Sequence, residues 1–160
     1  MLVKTGYLWT MSELTVLQEH FVTSLVKQKI LSATDSLPHP SKPLEKWLLY
    51  LPKGEIHDIG LLIAHYALKK NGKEVIYLGK DVEKENLLEA IKSVHPYRIL
   101  SFVVKHSQED LVNNYLTAIN DNHKNLSCII CCEQSYKEKL KLFNKQETIS
   151  CFEEFLKRVQ

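Results

Sequence analysis

Apolar and polar residues follow one period in the first part of this chain and another in the rest. Between Ser12 and Ile30, apolar residues return roughly every three to four positions, which predicts a helix that Ser12 can cap. From Lys46 onward, short apolar runs alternate with segments of helical period. The proline-rich stretch Asp35–Pro43 separates the two parts and predicts a linker. The pattern therefore predicts a short helical segment, residues 1–36, ahead of an α/β domain, residues 44–160.

Five apolar runs after the linker predict five β-strands, each followed by a helix. The predicted strands are 46–51, 74–79, 97–104, 126–132 and 147–150. The predicted helices are 59–70, 83–94, 108–120, 135–142 and 151–159. Because most of the runs are apolar on both faces, they predict a parallel sheet covered by helices on both sides. Right-handed crossovers then give a doubly wound, flavodoxin-like α/β fold with strand order 2-1-3-4-5.

Composition and charge are those of an ordinary globular protein. Hydrophobic residues make up 44% of the 160 positions and charged residues 25%. The net charge of +2 is scattered without a basic stripe, so we do not expect this chain to bind nucleic acid directly. Neither a signal peptide nor an apolar run of about 18 residues is present, so we expect no membrane span and a cytoplasmic protein.

The four cysteines do not form a recognisable disulfide or zinc pattern. Cys128, Cys131 and Cys132 lie in the apolar run "SCIICC", and Cys151 lies further on. The run predicts a buried strand. A reducing, cytoplasmic setting is therefore expected.

The stretch "PKGEIHDIGLL", residues 52–62, joins the first predicted strand to its helix. In a fold of this order, ligands bind beyond the carboxyl ends of strands 1 and 3, so this loop forms one wall of the crevice. His57 lies just ahead of the helix N-terminus, which favours a neutral imidazole, and a neutral imidazole can bind a metal. Glu55 and Asp58 are the local carboxylates that could hold its other nitrogen.

Other ligand classes fit this loop poorly. It contains no G-x-G-x-x-G or P-loop sequence, and the third strand ends in "VVKHS" rather than in a phosphoacceptor Asp. Its two glycines, Gly54 and Gly60, permit a tight exit from the strand and close packing of the helix on the sheet. An exposed loop histidine, with Asp58 as a plain helix cap, is the remaining alternative for His57.

Several motifs resemble those of one family. Glu55-Ile56-His57-Asp58-Ile59-Gly60 resembles the D-x-H-x-x-G cobalamin-binding motif, with Glu in place of the first Asp. Ser101-Phe102-Val103 resembles the S-x-L element that follows, and Cys131-Cys132 stands in place of the family's Gly-Gly pair. Ahead of the linker, Trp9 and Glu19-His20 follow the pattern W-x9-E-H. Together these motifs are similar to the cobalamin-binding domain of light-responsive, MerR-type transcriptional regulators of the CarH/LitR type.

The resemblance implies a role for each residue on the lower face of the corrin. His57 would be the lower axial ligand of cobalt, oriented by Glu55, Asp58 or both, within a motif completed by Ile59 and Gly60. The displaced dimethylbenzimidazole base would enter a slot in the sheet. The residues that the resemblance assigns to that slot are Ser101, which would donate a hydrogen bond to the base, and Val103, which would line it.

The cysteine pair stands where the family's glycines let the nucleotide tail approach the backbone. Because neighbouring strand residues point to opposite faces, only one of Cys131 and Cys132 should face the slot. One intruding thiol is expected to weaken cobalamin binding by about 1–3 kcal/mol. Replacing the pair with Gly-Gly should tighten binding.

The helical segment would cover the upper face of the corrin. The residues that the resemblance assigns to this cap are Trp9, Val16, Glu19 and His20. The family's cap is a four-helix bundle, whereas residues 1–36 have room for about two helices, which implies a truncated cap. Thr10 stands where light sensors of this type often have a second histidine, and it cannot take the upper cobalt position.

The resemblance implies a sensory domain rather than an enzyme. It would bind cobalamin, in the adenosyl form, as part of a light-responsive photoreceptor of the MerR family that regulates transcription. We expect a homo-oligomer that reaches DNA only through a winged-helix domain absent from this chain. Two alternatives stay open: a corrinoid methyl-carrier protein of a methyltransferase system, and a degenerate scaffold that no longer binds a corrin.

Overall fold

Five parallel strands organise the computed structural model, which describes residues 15–39, 45–104 and 108–159. The strands are β1 Lys46–Pro52, β2 Glu74–Val82, β3 Arg98–Val103, β4 Ser127–Cys132 and β5 Gln146–Ile149. They pair in the order β2-β1-β3-β4-β5, and every pair is parallel. The predicted doubly wound fold is confirmed.

Six helices accompany these strands in the described part of the chain. They are α1 Val16–Asp35, α2 Ile59–Lys70, α3 Lys84–Val94, α4 Glu109–Asn122, α5 Gln134–Lys137 and α6 Phe152–Val159. The predicted bounds of α2 are confirmed. The helix predicted over 135–142 is wrong after Lys137. The side chain of Asn113 hydrogen-bonds the backbone of residues 139 and 141, which satisfies those groups outside a helix.

The apolar core divides into one layer on each face of the sheet. Helices α3 and α4 cover one face, here called the α3/α4 face, and α2 and α6 cover the other, the α2/α6 face. Side chains alternate between these faces along each strand. By this alternation, four side chains near the candidate site share the α3/α4 face: Tyr50, Ser101, Val103 and Cys132.

Helix α1 begins later than the sequence suggests. Thr15 is extended, with φ −75° and ψ 156°, and forms a capping box with Gln18. The prediction that Ser12 caps this helix is therefore wrong, because the cap lies three residues further on. A helix continuous from Trp9 to His20 is also ruled out, because the chain is not helical at Thr15. Trp9 and Thr10 lie outside the described residues.

Two polar contacts fix α1 against α2. Lys27 Nζ lies 2.5 Å from Asp58 Oδ1, and Lys69 Nζ donates to Thr34 O at 3.1 Å. The contacts run in the same order along both helices, so the helices lie roughly parallel. The part of α1 before Lys27 is about 16 Å long and extends past the start of α2, at the carboxyl edge of the sheet.

The described residues contain no helix with the length and apolar character needed to cross a membrane.

Candidate functional site

The β1–α2 loop is tied to β2 at Gly54. Gly54 adopts φ +79° and donates its N–H to Asp81 Oδ1, near the end of β2, at 2.8 Å. An added Cβ at Gly54 would lie 2.6 Å from Gln108 Nε2, just ahead of α4. Glycine is therefore favoured here by the backbone angle, which other residues rarely adopt, while the Gln108 side chain would have to shift to admit a Cβ. The predicted tight exit from β1 is confirmed.

Glu55 and His57 form a compact pair at the carboxyl edge of the sheet. Glu55 is fully buried, and its Oε1 lies 2.6 Å from His57 Nδ1 and accepts the His57 backbone N–H at 3.0 Å. Its Oε2 accepts the N–H of Val104, directly after β3, at 2.9 Å. A carboxylate that accepts these N–H groups makes His57 Nδ1 the proton donor. The lone pair of the imidazole then lies on Nε2, the nitrogen available for a metal.

His57 remains accessible while its partner is buried. Its side chain is 55% exposed, whereas the Glu55 side chain is fully covered. The pair therefore combines a rigid internal anchor with an imidazole that a ligand can reach. An ordinary exposed loop histidine would not require a buried carboxylate held by two backbone N–H groups.

Asp58 lies against helix α1. Its carboxylate pairs with Lys27 of α1, and its side chain makes no capping hydrogen bond to α2. The structure thus separates the two carboxylates that the sequence left as alternatives. Glu55 orients His57, and Asp58 links the loop to α1.

Ile59 and Gly60 open α2 where it approaches β3. Both are partly buried. An added Cβ at Gly60 would lie 2.8 Å from Phe102 Cδ1, a distance that real side chains do not tolerate. Glycine therefore lets the start of α2 lie close to the sheet, as predicted.

We expect Gly60→Ala to lower the free energy of unfolding by about 1–3 kcal/mol, because the Phe102 ring must move to admit the methyl group. Urea unfolding followed by circular dichroism measures this loss. The same substitution in a Phe102→Leu background should cost less. Equal losses in the two backgrounds would mean that the Phe102 contact is not the cause.

Ser101 and Val103 lie side by side on the α3/α4 face, as the S-x-L resemblance requires. Both are buried, and Ser101 is paired with Tyr50 of β1 in the sheet register. The Ser101 hydroxyl makes no well-formed hydrogen bond within the described residues. Burial raises the pKa of Tyr50 well above its usual value, and the nearby Ser101 hydroxyl lowers it by less. Tyr50 is therefore a neutral phenol at physiological pH.

Cys131 and Cys132 point to opposite faces of the sheet, as expected for neighbouring strand residues. Cys132 shares the α3/α4 face with Val103, its partner in the β3–β4 register, and Cys131 packs on the α2/α6 face. Burial raises the pKa of Cys131 to about 12 and that of Cys132 to about 11. Both thiols thus stay protonated and unreactive. They border a cleft of about 280 Å³ between the ends of β3, β4 and β5.

The cap residues within the described range lie on the overhanging part of α1. Val16 is 58% exposed, and neighbouring Leu17 and Phe21 are exposed as well. Glu19 accepts a hydrogen bond from Thr23 at 2.6 Å and lies 3.6 Å from His20 Nε2. Among the described residues, the apolar side chains of this overhang are therefore not packed into a bundle core.

Two curated relatives match this chain in sequence. The HTH-type transcriptional repressor CarA of Myxococcus xanthus is 34% identical over 102 residues, which span 62% of this chain and 35% of that protein. CarH of the same organism is 33% identical over 111 residues, 69% of this chain and 36% of that protein. The resemblance drawn from the sequence is confirmed. The chain spans about a third of the length of these repressors, and no protein-family model matches it.

A solved structure supports the fold. The monomethylamine corrinoid protein of Methanosarcina barkeri superposes with a TM-score of 0.72 at 18% identity, over 96% of this chain and 74% of that one. At this identity the likeness establishes the flavodoxin-like architecture alone.

The sequence pattern did not single out two features of the site. Lys27 looks like one polar residue of an amphipathic helix, and only the packing of α1 on α2 brings it to Asp58. Tyr50 looks like one more apolar residue of the run "KWLLYLP", and nothing in that run indicates that its ring lies beside Ser101.

Proposed function

We propose that this chain is a corrinoid-binding sensory domain in which His57 supplies the lower axial ligand of cobalt. The observation that carries the proposal is the Glu55–His57 pair: a buried carboxylate holds Nδ1 at 2.6 Å and leaves Nε2 for a metal. The likeness to the CarA and CarH repressors supports the same function.

The residues of the loop fit an axial ligand role. A bound corrinoid would supply a cobalt ion with room for a protein ligand, and His57 would be the residue that holds it. Glu55 fixes the tautomer and the ring orientation of His57. Asp81, through Gly54, and the backbone of Val104, through Glu55, hold the loop from either side. The site is thus arranged before any ligand binds.

The overhang of α1 supports a cap over the upper face. It extends beyond the carboxyl edge of the sheet and carries exposed apolar side chains, an arrangement that suits a ligand between helix and loop. We assign this contact to Val16, Glu19 and His20, together with Trp9 ahead of the described helix. Residues 1–36 then form the cap, and residues 44–160 the corrinoid-binding domain.

The expected output of this domain is regulatory rather than catalytic. A ligand held between α1 and the β1–α2 loop would stabilise their packing and so favour one state of the protein. We propose that this state is a homo-oligomer, that the ligand is an adenosylated corrinoid, the class to which adenosylcobalamin belongs, and that DNA is reached through a separate domain. The methyl-carrier alternative uses the same loop, and the corrinoid protein of Methanosarcina barkeri supports only the shared fold.

Absorption spectroscopy tests the proposal. We expect titration of the protein in the dark with aquocobinamide, hydroxocobalamin and adenosylcobalamin to shift the corrin bands of at least one of them toward an imidazole-bound form. Illumination of an adenosyl complex should then change its spectrum. Free imidazole at the same concentration is the control. If no corrinoid binds, the chain is the degenerate scaffold.

A further inference from the structure

Two stacked phenol rings fill the α3/α4 face beside Ser101. Tyr50 and Tyr115 are each 2% exposed, and their ring centroids lie 6.1 Å apart with 13° between the planes. Tyr50 occupies the β1 position paired with Ser101, while Ile130 occupies the β4 position on the other side. The space above Ser101 is therefore occupied by protein side chains.

Tyr115 is held in place by its hydroxyl. This group donates to Val82 O, at the end of β2, at 2.7 Å and accepts the Lys53 N–H at 3.4 Å. The side chain thus spans from α4 to β2 and to the start of the β1–α2 loop. Moving this side chain would break both hydrogen bonds and unpack a ring that is only 2% exposed. Tyr136, also buried, belongs to the same apolar layer.

A nucleotide base cannot enter this layer without displacing one of these rings. Dimethylbenzimidazole is bicyclic and larger than either phenol, and closely packed interiors do not absorb such a group. The lower-face site thus has two unequal parts. His57, held by Glu55, fits a corrinoid, whereas the slot beside Ser101 does not fit its base.

We propose that this chain binds, in preference, corrinoids that carry no nucleotide base, with His57 on cobalt and the slot filled by Tyr50 and Tyr115. The inference rests on the proposed function and names its ligand class. A base-free corrinoid of the cobinamide type leaves the aromatic layer intact. A complete cobalamin must both release its own base from cobalt and find room for it.

The Ser101 hydroxyl offers a way to distinguish a filled slot from one that receives a base. This buried hydroxyl makes no well-formed hydrogen bond within the described residues, and a base nitrogen would be a suitable partner. The neighbouring phenol of Tyr50 competes for that hydroxyl. Ser101→Ala therefore separates the two arrangements, because only a base in the slot makes cobalamin binding depend on Ser101.

The experiment compares the affinities of aquocobinamide and hydroxocobalamin for the wild-type chain and for Tyr50→Ala, Tyr50→Phe and Ser101→Ala. We expect the wild type to bind aquocobinamide at least about tenfold more tightly. Tyr50→Ala should raise the affinity for hydroxocobalamin by about tenfold and change the affinity for aquocobinamide by less than about twofold. Tyr50→Phe, which keeps the ring, should change neither, and Ser101→Ala should leave both affinities unchanged.

The outcomes separate this inference from the proposed function. Three outcomes would overturn the base-free preference and leave the corrinoid site standing. They are equal wild-type affinities for the two corrinoids, an unchanged affinity ratio in Tyr50→Ala, and a Ser101→Ala variant that loses affinity for hydroxocobalamin alone. Binding of neither corrinoid would overturn both. If Tyr50→Ala does not fold, the wild-type ratio and Ser101→Ala still decide the question.

Discussion

His57→Ala should abolish imidazole ligation of a bound corrinoid while leaving the fold intact. The imidazole is half-exposed at the carboxyl edge of the sheet, so its loss removes a ligand without opening the core. We expect the affinity for aquocobinamide to fall by at least about 100-fold. In metal sites, replacing a residue that only hydrogen-bonds a ligand already lowers metal affinity by about 10–100-fold. Electron paramagnetic resonance of the Co(II) complex, with 15N-labelled histidine, identifies the axial nitrogen directly.

His123→Ala provides the matched control for this measurement. His123 lies at the C-terminal end of α4, whereas the β1–α2 loop lies near its beginning. Its replacement should leave both the affinity and the spectrum unchanged. If the labelled nitrogen signal persisted in His57→Ala, another histidine would be the ligand.

Glu55→Gln should weaken corrinoid binding by about 10–100-fold and also destabilise the protein. The fully buried carboxylate accepts the backbone N–H groups of His57 and Val104 and contacts His57 Nδ1. Glutamine keeps the size, but it removes the charge and brings an NH2 group to one of these donors. We expect a loss of about 1–3 kcal/mol in the free energy of unfolding, the usual cost of an unsatisfied buried group.

Two variants distinguish orientation of His57 from general stability. Glu55→Asp restores the carboxylate and should recover part of the affinity. Asp58→Asn breaks the ion pair with Lys27 and should loosen α1 without altering axial ligation, as judged by the Co(II) resonance. If Asp58→Asn reduced the ligation signal as strongly as Glu55→Gln, Asp58 rather than Glu55 would be the orienting group.

Strands and helices of this chain were predictable where the local pattern agrees with the packing. The run "KWLLYLP" is apolar on both sides and becomes the interior strand β1, buried between two helical layers. The helix over residues 59–70 is bounded by the loop glycines and by Asn71-Gly72, so its bounds were predicted correctly. The segment after Lys137 was not predictable, because its backbone is held by Asn113 from another helix.

The sequence by itself determined the order of the sheet and the position of His57 at the turn after β1. Both follow from local information: the period of the apolar residues, the glycines of the loop, and motif residues close together in the chain. Only the tertiary structure decided that Glu55 rather than Asp58 holds His57, since Asp58 is engaged by Lys27 from a helix about 30 residues earlier. It also decided what occupies the slot beside Ser101. Which ring lies next to a strand residue depends on register and on the opposite helix, and neither is encoded in the pattern of a single strand.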